Sequence, residues 1–187
     1  MITCGLDECG RGPLAGPIVA AAVILLRPIN GLKDSKQLSP AQRNRLYKKI
    51  LQTAAAVEIE SIAVKQINSK GIGWANKEVF KRLIRKVNAL SYIVDGNLKL
   101  SVKGKSRLIQ SIVKADTKYP EVMAASIVAK VTRDKLMQGL AKDFPNYGWQ
   151  SNVGYGTKYH VSALKEYGAC KYHRHLFVTT ALRRVSS

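Results

Sequence analysis

Four carboxylates in this chain carry the spacing of a catalytic site. Asp7 and Glu8 are adjacent within G-L-D-E-C-G-R-G-P-L-A-G-P (5–17), a glycine- and proline-rich turn between the apolar runs 1–4 and 18–26. Asp95 closes the β-type run Leu90-Ser91-Tyr92-Ile93-Val94, and Asp116 follows the run Ile109-Gln110-Ser111-Ile112-Val113. Three of the chain's six aspartates therefore follow a predicted strand, where ligands of α/β sheets gather. Four acids meeting there would repel one another strongly in a low dielectric. The usual remedy is hard cations with oxygen ligands, which for a polyphosphate substrate means Mg2+ or Mn2+. Successive strand residues face opposite ways. Asp7 and Glu8 are therefore expected to share a site only if the strand ends or bulges there. Arg11, between Gly10 and Gly12, lies on backbone that a large ligand can approach.

Two glycine-loop alternatives fail on spacing. Gly10-x-Gly12-x-x-x-Gly16 is one residue too long for a dinucleotide fingerprint, and Lys99 stands where a phosphate-binding loop ending at Gly104-Lys105-Ser106 needs glycine. Cys4, Cys9 and Cys170 lack metal-ligand spacing and read as reduced thiols. His160, His173 and His175 lack the pairing of a zinc finger and read as structural or substrate-contacting.

The elements that must position the acids can be read from pattern. The 187 residues are expected to form one domain, 1–187, with 145–187 a C-terminal loop and helices contributing to substrate binding. Ser39, Pro40 and Gln42 spell a helix start with a capping box. The segment 56–64 alternates as a strand with Glu58 and Glu60 facing solvent, and 72–87 is an amphipathic basic helix. Residues 97–107 read as a protruding basic loop or hairpin. A helix from Pro120 to about Asp143, apolar almost all round between Met123 and Ala129, must lie buried against the sheet. Thr157 caps a short helix ending at Gly168. This order predicts an α/β fold, a mixed sheet flanked by helices.

Thirty-one Lys plus Arg against twelve Asp plus Glu leave a net charge of +19, the balance of a polyanion binder, and 46% hydrophobic residues exclude a disordered basic tail. Nucleic acid is the expected partner. No run reaches the ~18–20 apolar residues of a membrane span. A cytoplasmic monomer with no membrane partner is expected.

The motifs 5–17, L-K-D-S-K-Q-L-S (32–39), V-D-G-N (94–97), K-A-D (114–116), A-A-S-I-V-A-K-V-T-R-D (124–134), G-Y-G-T-K-Y-H (154–160) and H-R (173–174) resemble, in order, the series of bacterial ribonuclease HII. The resemblance implies a ribonuclease H-like fold and a metal-dependent endonuclease. Its substrates would be the RNA strand of RNA–DNA hybrids and single ribonucleotides embedded in duplex DNA, and it would leave 3′-hydroxyl and 5′-phosphate ends. Carried over by position, it makes Asp7, Glu8, Asp95 and Asp116 the catalytic and metal-binding acids of a two-metal site. It assigns Gly10, Arg11 and Gly12 to sensing the ribose 2′-hydroxyl through their backbone. Tyr155 would pack on the neighbouring deoxyribose, and Lys36 would touch backbone phosphate. Cys9 and Ala115 replace the family's usual alanine and glycine. Both are small, and the site is expected to survive them.

Overall fold

The computed structural model describes residues 2–186. Its centre is a five-stranded mixed sheet of order β3-β2-β1-β4-β5. The strands are β1 (Thr3–Cys9), β2 (Ile18–Ile24), β3 (Ala56–Ile62), β4 (Ser91–Asp95) and β5 (Ile109–Ile112). β1 pairs antiparallel with β2 and parallel with β4, and β4 runs parallel with β5. Both faces of the sheet are covered, and β2 is accordingly buried along its whole length and apolar throughout.

One face packs on α3 (Ile72–Lys86), whose Ala75, Val79, Phe80, Leu83 and Ile84 meet Leu6, Ala20, Ala22 and Val94. The other carries α1 (Pro40–Thr53) and α4 (Pro120–Asp143), with Ala124, Ala125, Ile127 and Val128 packed on Ala21 and Val23. Small residues on both sides let α4 come close. A Cβ on Gly5 would stand 2.2 Å from the backbone carbon of Glu121, so only glycine admits the start of α4 at β1. Beyond α4, α5 (Trp149–Asn152), α6 (Lys158–Tyr167) and α7 (His175–Ser186) close over a third apolar cluster around Met137, Tyr147 and Trp149. Among the described residues no helix is long and apolar enough to cross a membrane.

The start of α1 is as its sequence spells it: Ser39 accepts from the Gln42 N–H while the Gln42 side chain accepts from the Ser39 N–H. Four expectations are corrected. β1 does not stop before the acids but runs through them to Cys9. The 56–64 strand ends at Ile62, and Val64–Lys70 forms a separate helix, α2. Glu58 and Glu60 are half-buried rather than a fully solvated face. They share the face of Ile62 that lies under α3, and Glu60 pairs with Lys86 at 2.5 Å. Residues 97–107 do not protrude. Val102 is buried with Leu98 and Leu100 packed beside it, and Lys105 Nζ donates to the carbonyls of Ile84 and Val87, closing the C-terminal end of α3.

Candidate active site

The β1–β4 ladder ends at Leu6 opposite Val94, while β1 continues along β2 as far as Cys9. Asp7 and Glu8 therefore stand on a strand that has outrun its neighbour, beside Asp95 at the end of β4. The sheet ends there, although the strand neither ends nor bulges, and side chains from both faces of β1 reach one space. Past β5 the chain turns at Lys114, which takes the left-handed conformation (φ 58°). That turn brings Asp116 in, and the Ala115 N–H donates to Asp95 Oδ1 at 2.7 Å. Because the left-handed residue is Lys114, alanine at 115 carries no backbone penalty.

The sequence-predicted acids thus assemble in one place, each with a different partner. The Ser126 hydroxyl, on α4, hydrogen-bonds Asp7 and is itself joined to Ser35 at 2.9 Å. Arg11 pairs with Glu8 at 3.5 Å and Lys36 with Asp116 at 3.7 Å. Burial, reinforced by Glu8 and Asp95, pushes the Asp7 carboxyl well above the usual carboxylate range. Burial also raises Glu8 to about 7, with Asp95 adding to the rise and Arg11 opposing it. Asp116 is raised by burial and then by Asp95 and Asp34, against the pull of Lys36.

Among the described residues Glu8 Oε2 is buried without a hydrogen-bond partner. An unpaired buried carboxylate oxygen near other carboxylates is the kind of donor a hard divalent cation takes. As they stand, no three acid, histidine or cysteine side chains among the described residues are drawn into a ready-made cage. Arg11 and Lys36 pair with two of the acids.

The predicted substrate residues lie around this cluster. Arg11 and Gly12 are exposed, and Gly12 has open space where a Cβ would stand. Gly10 is buried at φ 100°, where a side chain would collide with Arg133 Nε at 2.2 Å. Lys36 is mostly exposed, in a short 3-10 turn (Ser35–Gln37) held by Asp34 Oδ1 and by Arg43, which donates to the carbonyls of Ser35 and Leu38. Tyr155 is 40% exposed, with Lys130 and Arg133 each 5.8 Å from its ring, so it is not core filling.

Two residues that lie in the quoted motifs but were given no role there hold this arrangement from beneath. Arg133 and Arg174 are fully buried, and the partners of both guanidinium groups are carbonyls. Arg133 donates to Pro17, Ala15 and Val153. Arg174 donates to Gly16, Arg11 and Gly10. Burial, with Arg133 adding, lowers Arg174 to about 9, which leaves it charged at neutral pH. The Val153 carbonyl belongs to a β-branched residue at φ 43°, a costly conformation that the Arg133 bond helps fix.

His160 and His173 are also buried and structural. His173 Nδ1 accepts from the Cys170 N–H, so its proton is on Nε2, which donates to His160 Nε2 at 3.0 Å. Trp149 donates to the same nitrogen, and His160 Nδ1–H then donates to the Tyr155 carbonyl at 2.9 Å. Only the doubly neutral state satisfies every bond. Burial and the His160 ring lower His173 to about 4.

Comparison with known proteins agrees with this architecture. The family model described as Ribonuclease HII matches residues 4–180. The chain is 44% identical over 180 residues to ribonuclease HII of Burkholderia mallei, covering 94% of this chain and 83% of that one. It superposes on the ribonuclease H2 of Pyrococcus horikoshii with a TM-score of 0.80 at 27% identity, covering 98% of each chain. The RNase HII solved in complex with PCNA from Archaeoglobus fulgidus gives 0.81 at 27% identity, covering 93% of this chain and 94% of that one.

Proposed function

The chain belongs to the ribonuclease HII family and is a ribonuclease H hydrolase, and from that premise we propose that it cuts RNA–DNA hybrids and single ribonucleotides embedded in duplex DNA, leaving 3′-hydroxyl and 5′-phosphate ends. The observation that carries this reading is the orphaned Glu8 oxygen among four carboxylates at the sheet's end, in a chain of net charge +19. Acids concentrated in one place on so basic a protein have no use in binding a polyanion by themselves.

Asp7, Glu8, Asp95 and Asp116 would hold the divalent ions, Mg2+ or Mn2+. When bound, such ions activate a water and neutralise charge on the leaving 3′-oxygen. The chain's own residues do the rest. Exposed backbone at Arg11 and Gly12 can hydrogen-bond a 2′-hydroxyl, the group that separates RNA from DNA. The half-exposed Tyr155 ring, anchored through its carbonyl by His160, can rest on the next sugar and reject a second 2′-hydroxyl. Lys36, on the rim of the cleft, reaches backbone phosphate, and segment 145–187 contributes to holding the duplex.

A labelled duplex with one embedded ribonucleotide, incubated with and without Mg2+ beside its all-DNA counterpart, tests the reading. Metal-dependent cleavage at the ribonucleotide alone is expected, and cutting of the all-DNA duplex would contradict it. On that substrate Tyr155→Ala should lose on the order of 10²-fold in rate and Tyr155→Phe far less. Unchanged cleavage by a folded alanine variant removes Tyr155 from the site.

A further inference from the structure

The loop at residues 10–12, exposed at Arg11 and Gly12, is shaped from below by a buried side chain. Arg174 lies fully buried beneath it and donates through Nη2 to the Gly10 carbonyl at 2.6 Å and through Nη1 to the Arg11 carbonyl at 2.9 Å. Its Nε and Nη2 also hold the Gly16 carbonyl, so one guanidinium grips both ends of the turn. Each peptide unit is planar, and no peptide here is cis, so a carbonyl and the N–H it shares a plane with point in opposite directions. Drawing the Gly10 carbonyl inward turns the Arg11 N–H outward. Drawing the Arg11 carbonyl inward does the same for the Gly12 N–H. Arg11 and Gly12 are exposed, and among the described residues neither N–H finds a backbone acceptor. Further along, the N–H groups of Leu14 and Ala15 bond the Gly154 carbonyl, and that of Gly16 bonds the Tyr172 carbonyl. Two adjacent outward donors are therefore set in a turn that is otherwise tied down.

We propose that Arg174 is the positioning residue of the 2′-hydroxyl reader, aiming the Arg11 and Gly12 amides at the ribose by holding the carbonyls on their far side. This rests on the reading that Gly10-Arg11-Gly12 contacts the ribose. Lysine at 174 keeps a charge but has one nitrogen for three carbonyls, so the two peptide planes are freed.

The test is binding without divalent metal, so that nothing is cut, to a duplex with one embedded ribonucleotide and to the same duplex made wholly of DNA. Arg174→Lys should lose about 10-fold or more of the preference for the ribonucleotide. Its affinity for the all-DNA duplex should be kept, because the basic surface supplies that. Asn68→Ala is the control for loosening alone. Asn68 bonds the His173 carbonyl and the His175 N–H without touching the loop, and its loss should lower the melting temperature while sparing the preference. Arg174→Lys keeping the full preference, or Asn68→Ala losing it equally, overturns the inference. No preference in the unaltered protein would instead sink the reading beneath it.

Should Arg174→Lys not fold, amide exchange on the unaltered protein decides. Arg11 and Gly12 should exchange fast when free and slow on the ribonucleotide duplex only. Slow exchange at either amide in the free protein overturns the inference.

Discussion

Two charged regions lie within a few residues of each other on β1 and its following loop, and they treat burial in opposite ways. At the end of the sheet, Asp7, Glu8 and Asp116 are buried with too few donors, Glu8 Oε2 has none among the described residues, and all three are pushed toward the neutral form. Under the loop, Arg133 and Arg174 are buried more deeply, yet among the described residues every hydrogen bond they make ends on a carbonyl, with no carboxylate partner. A saturated buried charge is scaffold, because any change costs it partners. An unsaturated one keeps bonding capacity for something not part of the chain. By that criterion, and on the proposed function, the acids would be the reactive end and the arginines its frame.

The largest expected effect breaks the reactive end. Asp95→Asn or Asp116→Asn should each lower cleavage by on the order of 10³-fold, since several kcal/mol of charge stabilisation would be lost. Duplex binding should survive, and near-normal cleavage by either variant removes that residue from the site. The same substitutions should not destabilise the metal-free fold, because they relieve repulsion. Glu8 sharpens the point through pH. Its folded value of about 7 lies above the ordinary 4.5, so the folded state holds a proton that the unfolded state has released. The stability linked to that proton is full below about pH 4.5 and lost as pH rises through about 7. Glu8→Gln should therefore melt higher than the parent in chelator at about pH 8, by several degrees at most. A lower melting temperature would mean that Glu8 is structural.

Breaking the frame should do the reverse, costing stability first. Arg133→Met leaves the carbonyls of Ala15, Pro17 and Val153 buried without donors, at roughly 1–3 kcal/mol each. A melting temperature lower by on the order of 10 °C is expected. A variant as stable as the parent, but inactive, would move Arg133 from frame to reactive site.

The frame was the part least legible in the sequence. Asp7, Glu8, Asp95 and Asp116 were readable because each follows a run of β-type residues, and Ser39-Pro40-x-Gln42 because a capping box is local. Arg133 and Arg174 gave no such signal: in a chain with thirty-one basic residues they look like solvated charge, and all their acceptors but Val153 lie 116 to 164 positions away. The covering of Glu60 is hidden from the sequence for a related reason. Alternation fixes which residues share a face, but only the packing of α3 says that the glutamate face is covered. Ser126 was visible only as a small residue on an apolar helix, and its bond to Asp7 depends on how α4 crosses β1.

The histidine pair tests whether the frame depends on pH in the opposite sense from the acids. His173 falls to about 4 when folded, below the ordinary 6.5, so the unfolded state takes up the proton first. Its contribution is present above about pH 6.5 and is lost as pH falls toward 4, amounting to at most about 3 kcal/mol. His173→Asn should flatten the melting profile across that window. An unchanged slope would mean that the pair is not what titrates.

The smallest effect belongs to Lys36, on the rim of the acidic region. Lys36 pairs with Asp116 at 3.7 Å, but its side chain is 80% exposed, and exposed pairs contribute about 0–1 kcal/mol. Lys36→Gln should therefore leave the melting temperature almost unchanged. If the ammonium instead serves a backbone phosphate, it acts only when the duplex is present, and its loss should appear in salt dependence. The log–log slope of binding against salt should become shallower by about 0.9 for the one phosphate contact removed. An unaltered slope with a markedly lower melting temperature would place Lys36 in the frame, as a counter-charge that Asp116 needs for folding.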